Sequence, residues 1–156
     1  MVRLLLALAK PAHRKVDSAC QSKMNCPVCR EAMIVLEYEQ VEIDHCVSCK
    51  GLWLDNGELE LLLGDGQSKN DWLAHFEVTS NREKVRKCPI CLGKMEKVSV
   101  ANRSQLVIDR CKQGDGFWFD LGELEEMIRV DSLGTNSQVL DWLKSVFGKV
   151  EQGGVR

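Results

Sequence analysis

Cys26-Pro27-Val28-Cys29 is followed, after sixteen intervening residues, by Cys46-Val47-Ser48-Cys49. Each CxxC turn can present two soft thiolates to one ion. Four sulfurs with no open position suit structural zinc, which organises a chain without doing chemistry of its own. A second group contains Cys88-Pro89-Ile90-Cys91 and Cys111 but no fourth thiol, because Gly114 stands where one is required. Asp115, one residue on, can supply an oxygen after a local shift of the turn; water or a partner side chain are the other candidates. A degenerate site that holds metal weakly or not at all is the bland alternative. The expectation is one Zn²⁺ on Cys26, Cys29, Cys46 and Cys49, and a second, weaker or absent, on Cys88, Cys91 and Cys111 with or without Asp115. Replacing Gly114 by Cys should strengthen that second site.

An incomplete zinc shell also describes a catalytic metal, with bound water as nucleophile and Asp115 or Asp109 as base. Three thiolates make a poor Lewis acid and no histidine adjoins the second group, so no enzyme and no small-molecule substrate are expected. A redox dithiol would want a βαβ setting that the chain lacks. His45, beside Cys46, reads as a solvent-exposed strand residue, and Cys20 as a free thiol.

The elements that must position these cysteines come twice. Ile43-Asp44-His45-Cys46 matches Ile108-Asp109-Arg110-Cys111, and Gly51-Leu52-Trp53-Leu54-Asp55-Asn56-Gly57-Glu58-Leu59-Glu60 matches Gly116-Phe117-Trp118-Phe119-Asp120-Leu121-Gly122-Glu123-Leu124-Glu125, both at an offset of 65. The CPxC turns match at an offset of 62. A period of this kind marks a tandem duplication. Within each unit, two short strands (33–36 and 41–43; 95–100 and 106–108) form a hairpin that brings two cysteine turns together. A helix follows, with Asp55 and Glu58, or Asp120 and Glu123, as a capping box. Residues 70–77 read as a further turn or two of helix. Val139, Leu140, Leu143, Val146 and Phe147 make the apolar stripe of a C-terminal amphipathic helix. The division expected is an arm over 1–22, units over 23–80 and 81–150, and a tail over 151–156. Trp53 and Trp118 read as packing residues where helix meets ribbon, ahead of a role as base-stacking platforms.

These motifs, a CPxC turn, an I-D-x-C strand end and C-x-x-C-x-G-x-W-[L/F]-D-x-G-E-L, resemble the transcription-factor-IIB-type zinc-finger family of small zinc ribbons. Residues 26–61 carry the whole pattern, and 88–126 carry it with one cysteine missing. The resemblance implies a small α+β fold of tandem zinc ribbons, each followed by a short helix.

The 156 residues hold eight cysteines but only four Phe and one Tyr, so units of about 60 residues would need a metal or disulfide staple. The apolar run Leu4–Ala9 is short for a secretory signal, and no stretch is long enough for a membrane span. A reducing, cytoplasmic setting and metal chemistry are therefore expected. The net charge of −2 gives no global attraction to nucleic acid. The basic stretch 82–112 is the local exception, with Arg82, Arg86, Lys87 and Lys94 as candidate phosphate contacts. The function expected is a zinc-held binding or regulatory module that engages a protein partner, in a transcription-related setting by resemblance, with nucleic-acid binding as the alternative.

Overall fold

The computed structural model describes residues 24–63, 76–100, 103–130 and 137–147. The arm with Cys20, Trp72 and the tail over 151–156 lie outside the described residues. Seven strands form one antiparallel sheet: β1 (Ile34–Tyr38), β2 (Val41–His45), β3 (Leu52–Asp55), β4 (Phe76–Thr79), β5 (Glu96–Val100), β6 (Arg103–Arg110) and β7 (Gly116–Phe119). Their order is β1-β2-β3-β7-β6-β5-β4. Among the described residues three helices accompany them: α1 (Asn56–Leu63), α2 (Glu123–Val130) and α3 (Ser137–Phe147). No helix among the described residues is long and apolar enough to cross a membrane.

The first hairpin turns on Glu39 and Gln40, both at positive φ (45° and 72°) as a two-residue turn between twisted strands requires. The second is longer and carries a register shift between Ser99 and Val100. The second cysteine turn of each unit then leads into a third strand that the pattern did not signal as one. Leu52-Trp53-Leu54 and Phe117-Trp118-Phe119 are buried on both faces, so no apolar and polar alternation exposes them. The helix reading also fails for 76–77. Phe76-Glu77-Val78-Thr79 pairs with β5 as an edge strand, with Phe76 buried in the core and Glu77 and Val78 exposed.

β3 and β7 join the two units into one sheet through Leu52↔Phe119, Trp53↔Trp118, Leu54↔Phe117 and Asp55↔Gly116. Because residue 53 meets its own repeat equivalent, a local twofold axis passes between the two tryptophans. On one face Leu52, Leu54, Phe117 and Phe119 pack with Ile43, Ile108, Leu59, Leu62, Leu124, Met127 and Leu143 beneath the helices. On the other, Trp53 and Trp118 pack with Met33, Met95 and the cysteines. The units also exchange material: β4, from the first unit's tail, extends the second unit's sheet. In return α3 lies over the first hairpin, with Trp142 against Tyr38 (4.7 Å) and Phe147 against His45 (4.8 Å).

Candidate metal centres

Three of the four cysteine turns share one geometry. The amides of Arg30, Lys50 and Leu92 donate to the carbonyls of Cys26, Cys46 and Cys88 (3.0, 2.8 and 3.0 Å), and all three residues are left-handed. Amides inside the turns point at sulfur: Val28 N–H reaches Cys26 Sγ at 3.3 Å and Ile90 N–H reaches Cys88 Sγ at 3.4 Å. Such bonds favour the thiolate.

In the first cluster Cys26 Sγ lies 3.6 Å from Cys49 Sγ, and Cys29 Sγ 3.2 Å from Cys46 Sγ. All four sulfurs fall within 4.8 Å of one another. A zinc–sulfur bond of about 2.3 Å in a tetrahedron separates sulfurs by roughly 3.8 Å, so four thiolates this close fit one Zn²⁺. Burial pushes the Cys26 thiol up, while Cys46, also opposed by burial, is brought down to about 7 by hydrogen bonds from the Cys49 amide and the neighbouring thiols. Four sulfurs so crowded cannot all ionise without a cation between them.

The second cluster is Cys88, Cys91, Cys111 and Asp115, again within 4.8 Å. Asp115 Oδ2 accepts from the thiols of Cys88 (3.3 Å) and Cys111 (3.2 Å), while Cys91 and Cys111 are 3.6 Å apart. Hydrogen bonds from Cys91 and Cys111 hold its carboxyl below the ordinary carboxylate range. Burial raises Cys88 to about 12. Here the turn is one residue tighter: Gly114 N–H donates to Cys111 O at 3.1 Å, and Gly114 itself is left-handed at φ 83°. In the first unit the left-handed residue is Lys50, which aligns with Asp115. Moving that conformation back to the glycine swings Asp115 inward, and Gly114 O is fixed by Asn56 Nδ2 at 2.8 Å. Gly114, at the position that matches Cys49, is thus the hinge that brings the Asp115 carboxylate in among the three thiols.

The tryptophans tie the clusters together. A Cβ on Gly51 would sit 2.1 Å from Trp118 Cζ2, and one on Gly116 would sit 2.9 Å from Trp53 Cζ2 and 2.3 Å from Leu54 O. Each indole therefore lies over the glycine that follows the other unit's cysteine turn. Sequence reading found the packing role of both tryptophans but placed each within its own unit.

Polar residues around the second cluster form a network that the pattern did not reveal. Arg86 donates to both Asp120 oxygens (2.8 and 2.8 Å) and to Asp109 Oδ2 (3.0 Å), which also accepts from Lys97 Nζ at 3.0 Å. Lys97 reaches Glu83 as well. Arg86, expected among the phosphate contacts, is therefore engaged by carboxylates, whereas Arg82, Lys87 and Lys94 are exposed. Asp109, considered as a catalytic base, is buried between two cations. The capping boxes also differ. Asp55 Oδ1 accepts from Glu58 N–H at 2.8 Å, but Asp120 Oδ1 takes Trp118 Nε1–H at 3.0 Å and leaves the helix cap to its own carbonyl. His45, expected to be exposed, is only 6% accessible; it sits under Phe147 with Nδ1 3.3 Å from Gly51 O. Burial lowers its pKa.

The sequence profile of the family described as transcription factor zinc-finger matches the chain twice, over residues 25–64 and 87–130. The chain is also 28% identical over 130 residues to Rho1 guanine nucleotide exchange factor 3 of Schizosaccharomyces pombe; the match takes in 80% of this chain but spans only 9% of that protein. No solved structure matches the chain.

Proposed function

This chain belongs to the transcription factor zinc-finger family, and on that premise we propose that it is a pair of tandem zinc ribbons acting as a non-catalytic binding or regulatory module for a protein partner. One observation carries the reading. Both clusters are closed, the first by four thiolates and the second by Asp115, and both sit against the paired tryptophans at the junction of the units. Zinc in these positions would fix the sheet's central seam. A metal whose fourth corner holds a protein ligand has no place for a reacting water.

The seven described cysteines are free thiols, which suits a reducing compartment such as the cytoplasm. The family's description makes transcription the first setting in which to look for a partner. The match to a small part of a guanine nucleotide exchange factor lends this module no exchange activity. Crosslinking of the zinc-loaded full chain in native lysate tests the reading: capture of a protein that chelation abolishes supports it, and the same capture by stripped protein contradicts it.

The exposed Arg82, Lys87 and Lys94 favour a second reading, binding to nucleic-acid phosphates. That reading requires affinity for DNA or RNA that falls steeply with salt, and an affinity insensitive to salt removes it.

A further inference from the structure

A row of side chains crosses the metal-bearing face of the sheet in register: Val35, Asp44, Trp53, Trp118, Asp109 and Lys97. The row reads the same from either end except at its ends, where Lys97 is 8% exposed and ion-paired while Val35 is 56% exposed. A second difference lies just before the first cysteine of each unit. Met33 N–H donates to Met24 O as Met95 N–H donates to Arg86 O, so Met24 occupies the place of Arg86. The second unit thus closes Asp109 and Asp120 with two cations of its own. The first unit keeps the equivalent carboxylates, Asp44 and Asp55, and has lost both.

An independent feature shows the first unit's version to be incomplete. Trp53, 1% exposed, leaves its Nε1–H without a hydrogen-bond partner, whereas Trp118 Nε1–H is satisfied by Asp120. Each indole sets Cζ2 against the other unit's glycine, and in the repeat Asp55 holds the place of Asp120, the acceptor that Trp118 N–H uses. An unsatisfied buried donor is costly, and its natural acceptor is occupied in capping Glu58.

We propose that the Asp44, Asp55 and Trp53 notch is a receptor for an arginine side chain of the partner protein, which takes the place that Arg86 fills within the second unit. A guanidinium matches two carboxylates with directed, charge-assisted hydrogen bonds, and its aliphatic stem can lie on Val35 and Met24. Docking turns Asp55 from the Glu58 amide to the guanidinium and the Trp53 N–H, as Asp120 is already turned. This rests on the protein-partner reading above and adds the chemistry of the contact. Phosphate, and so nucleic acid, is repelled from the same notch.

The test is a titration of zinc-loaded, ¹⁵N-labelled full chain with the blocked tripeptide Gly-Arg-Gly, and with Gly-citrulline-Gly, reading the Trp53 indole N–H signal. Expected is a saturable downfield shift of Trp53 but not of Trp118. Citrulline should bind about tenfold more weakly, the loss of one charge-assisted hydrogen bond. Asp44→Asn should abolish the shift, and so should Met24→Arg with Val35→Lys, which fills the notch from within. No shift, an equal response to citrulline, an equal response at Trp118, or a shift produced by an oligonucleotide instead would overturn the proposal. If either variant fails to fold, the arginine and citrulline arms on the unmodified chain still decide it. Because the tripeptide needs no cellular partner, its result stands apart from the crosslinking test of the module's function.

Discussion

Trp53 lies directly opposite Trp118 in the β3–β7 ladder, and each indole covers the glycine that follows the other unit's cysteine turn. The duplication is therefore more than two copies on one chain. Neither unit completes its own cysteine-bearing face; each borrows a tryptophan across the seam.

Gly51→Ala would drive a methyl group into Trp118, an indole fixed by close packing on both sides. The cost expected is about 2 kcal/mol, in the range for overpacking a core. Denaturant unfolding of the zinc-loaded protein checks it. Gly57→Ala, where the added carbon meets nothing nearer than 3.5 Å, serves as the tolerant control.

The second site should respond to position 115 rather than 114. Asp115→Ala should weaken the second zinc at least about tenfold, the lower end of what even an outer metal partner contributes. Asp115→Cys should tighten it by supplying a fourth thiolate. Gly114→Cys, which the repeat alignment favours, must place a side chain at φ 83° and should gain little. Competition with a chromophoric chelator measures all three.

Arg86→Ala should destabilise the folded protein by about 3 kcal/mol, because it strands the buried Asp109 with one cation fewer. Met24→Ala, at the equivalent place in the first unit, removes no ion pair and should cost less. Thermal melts of the two zinc-loaded variants make the comparison.

Burial raises the Glu123 carboxyl to about 7, against the pull of the Asp120 amide and with the help of the nearby Asp120 charge. The folded chain thus holds this proton more tightly than the unfolded one. The stability it contributes is complete below the unfolded pKa and is lost as pH rises through about 7. Glu123→Gln, which keeps an acceptor without the charge, should remove that loss, a gain of roughly 1 kcal/mol at pH 8 relative to pH 6. Unfolding curves at the two pH values, with zinc present, test the sign.

Much of this was legible in the residues. The cysteine spacing located both clusters, and one missing thiol pointed to Asp115. The repeat fixed which residues correspond. What escaped were features that depend on the units meeting. β3 and β7 are buried on both faces because the helix-side core covers one and the methionines and cysteine turns of both units cover the other, so Leu52-Trp53-Leu54 carried no strand periodicity. His45 is buried by Phe147, a residue 102 positions away at the far end of α3. Arg86 looked like one basic residue among nine until the fold brought Asp109 and Asp120 to it. A signal was nonetheless present, in the exchange of Met24 and Val35 for Arg86 and Lys97 between otherwise matching units.

If zinc in two closed sites orders the seam between the units, withdrawing the metal must loosen that seam. The decisive experiment is native mass spectrometry of the full chain, followed by chelation under reducing conditions with folding monitored by tryptophan fluorescence. The result expected is two zinc ions per chain, the one on the Asp115 site leaving first, and loss of the buried-tryptophan signal as the metal is withdrawn. A chain that binds no zinc, or that keeps Trp53 and Trp118 buried after both sites are stripped, would contradict it.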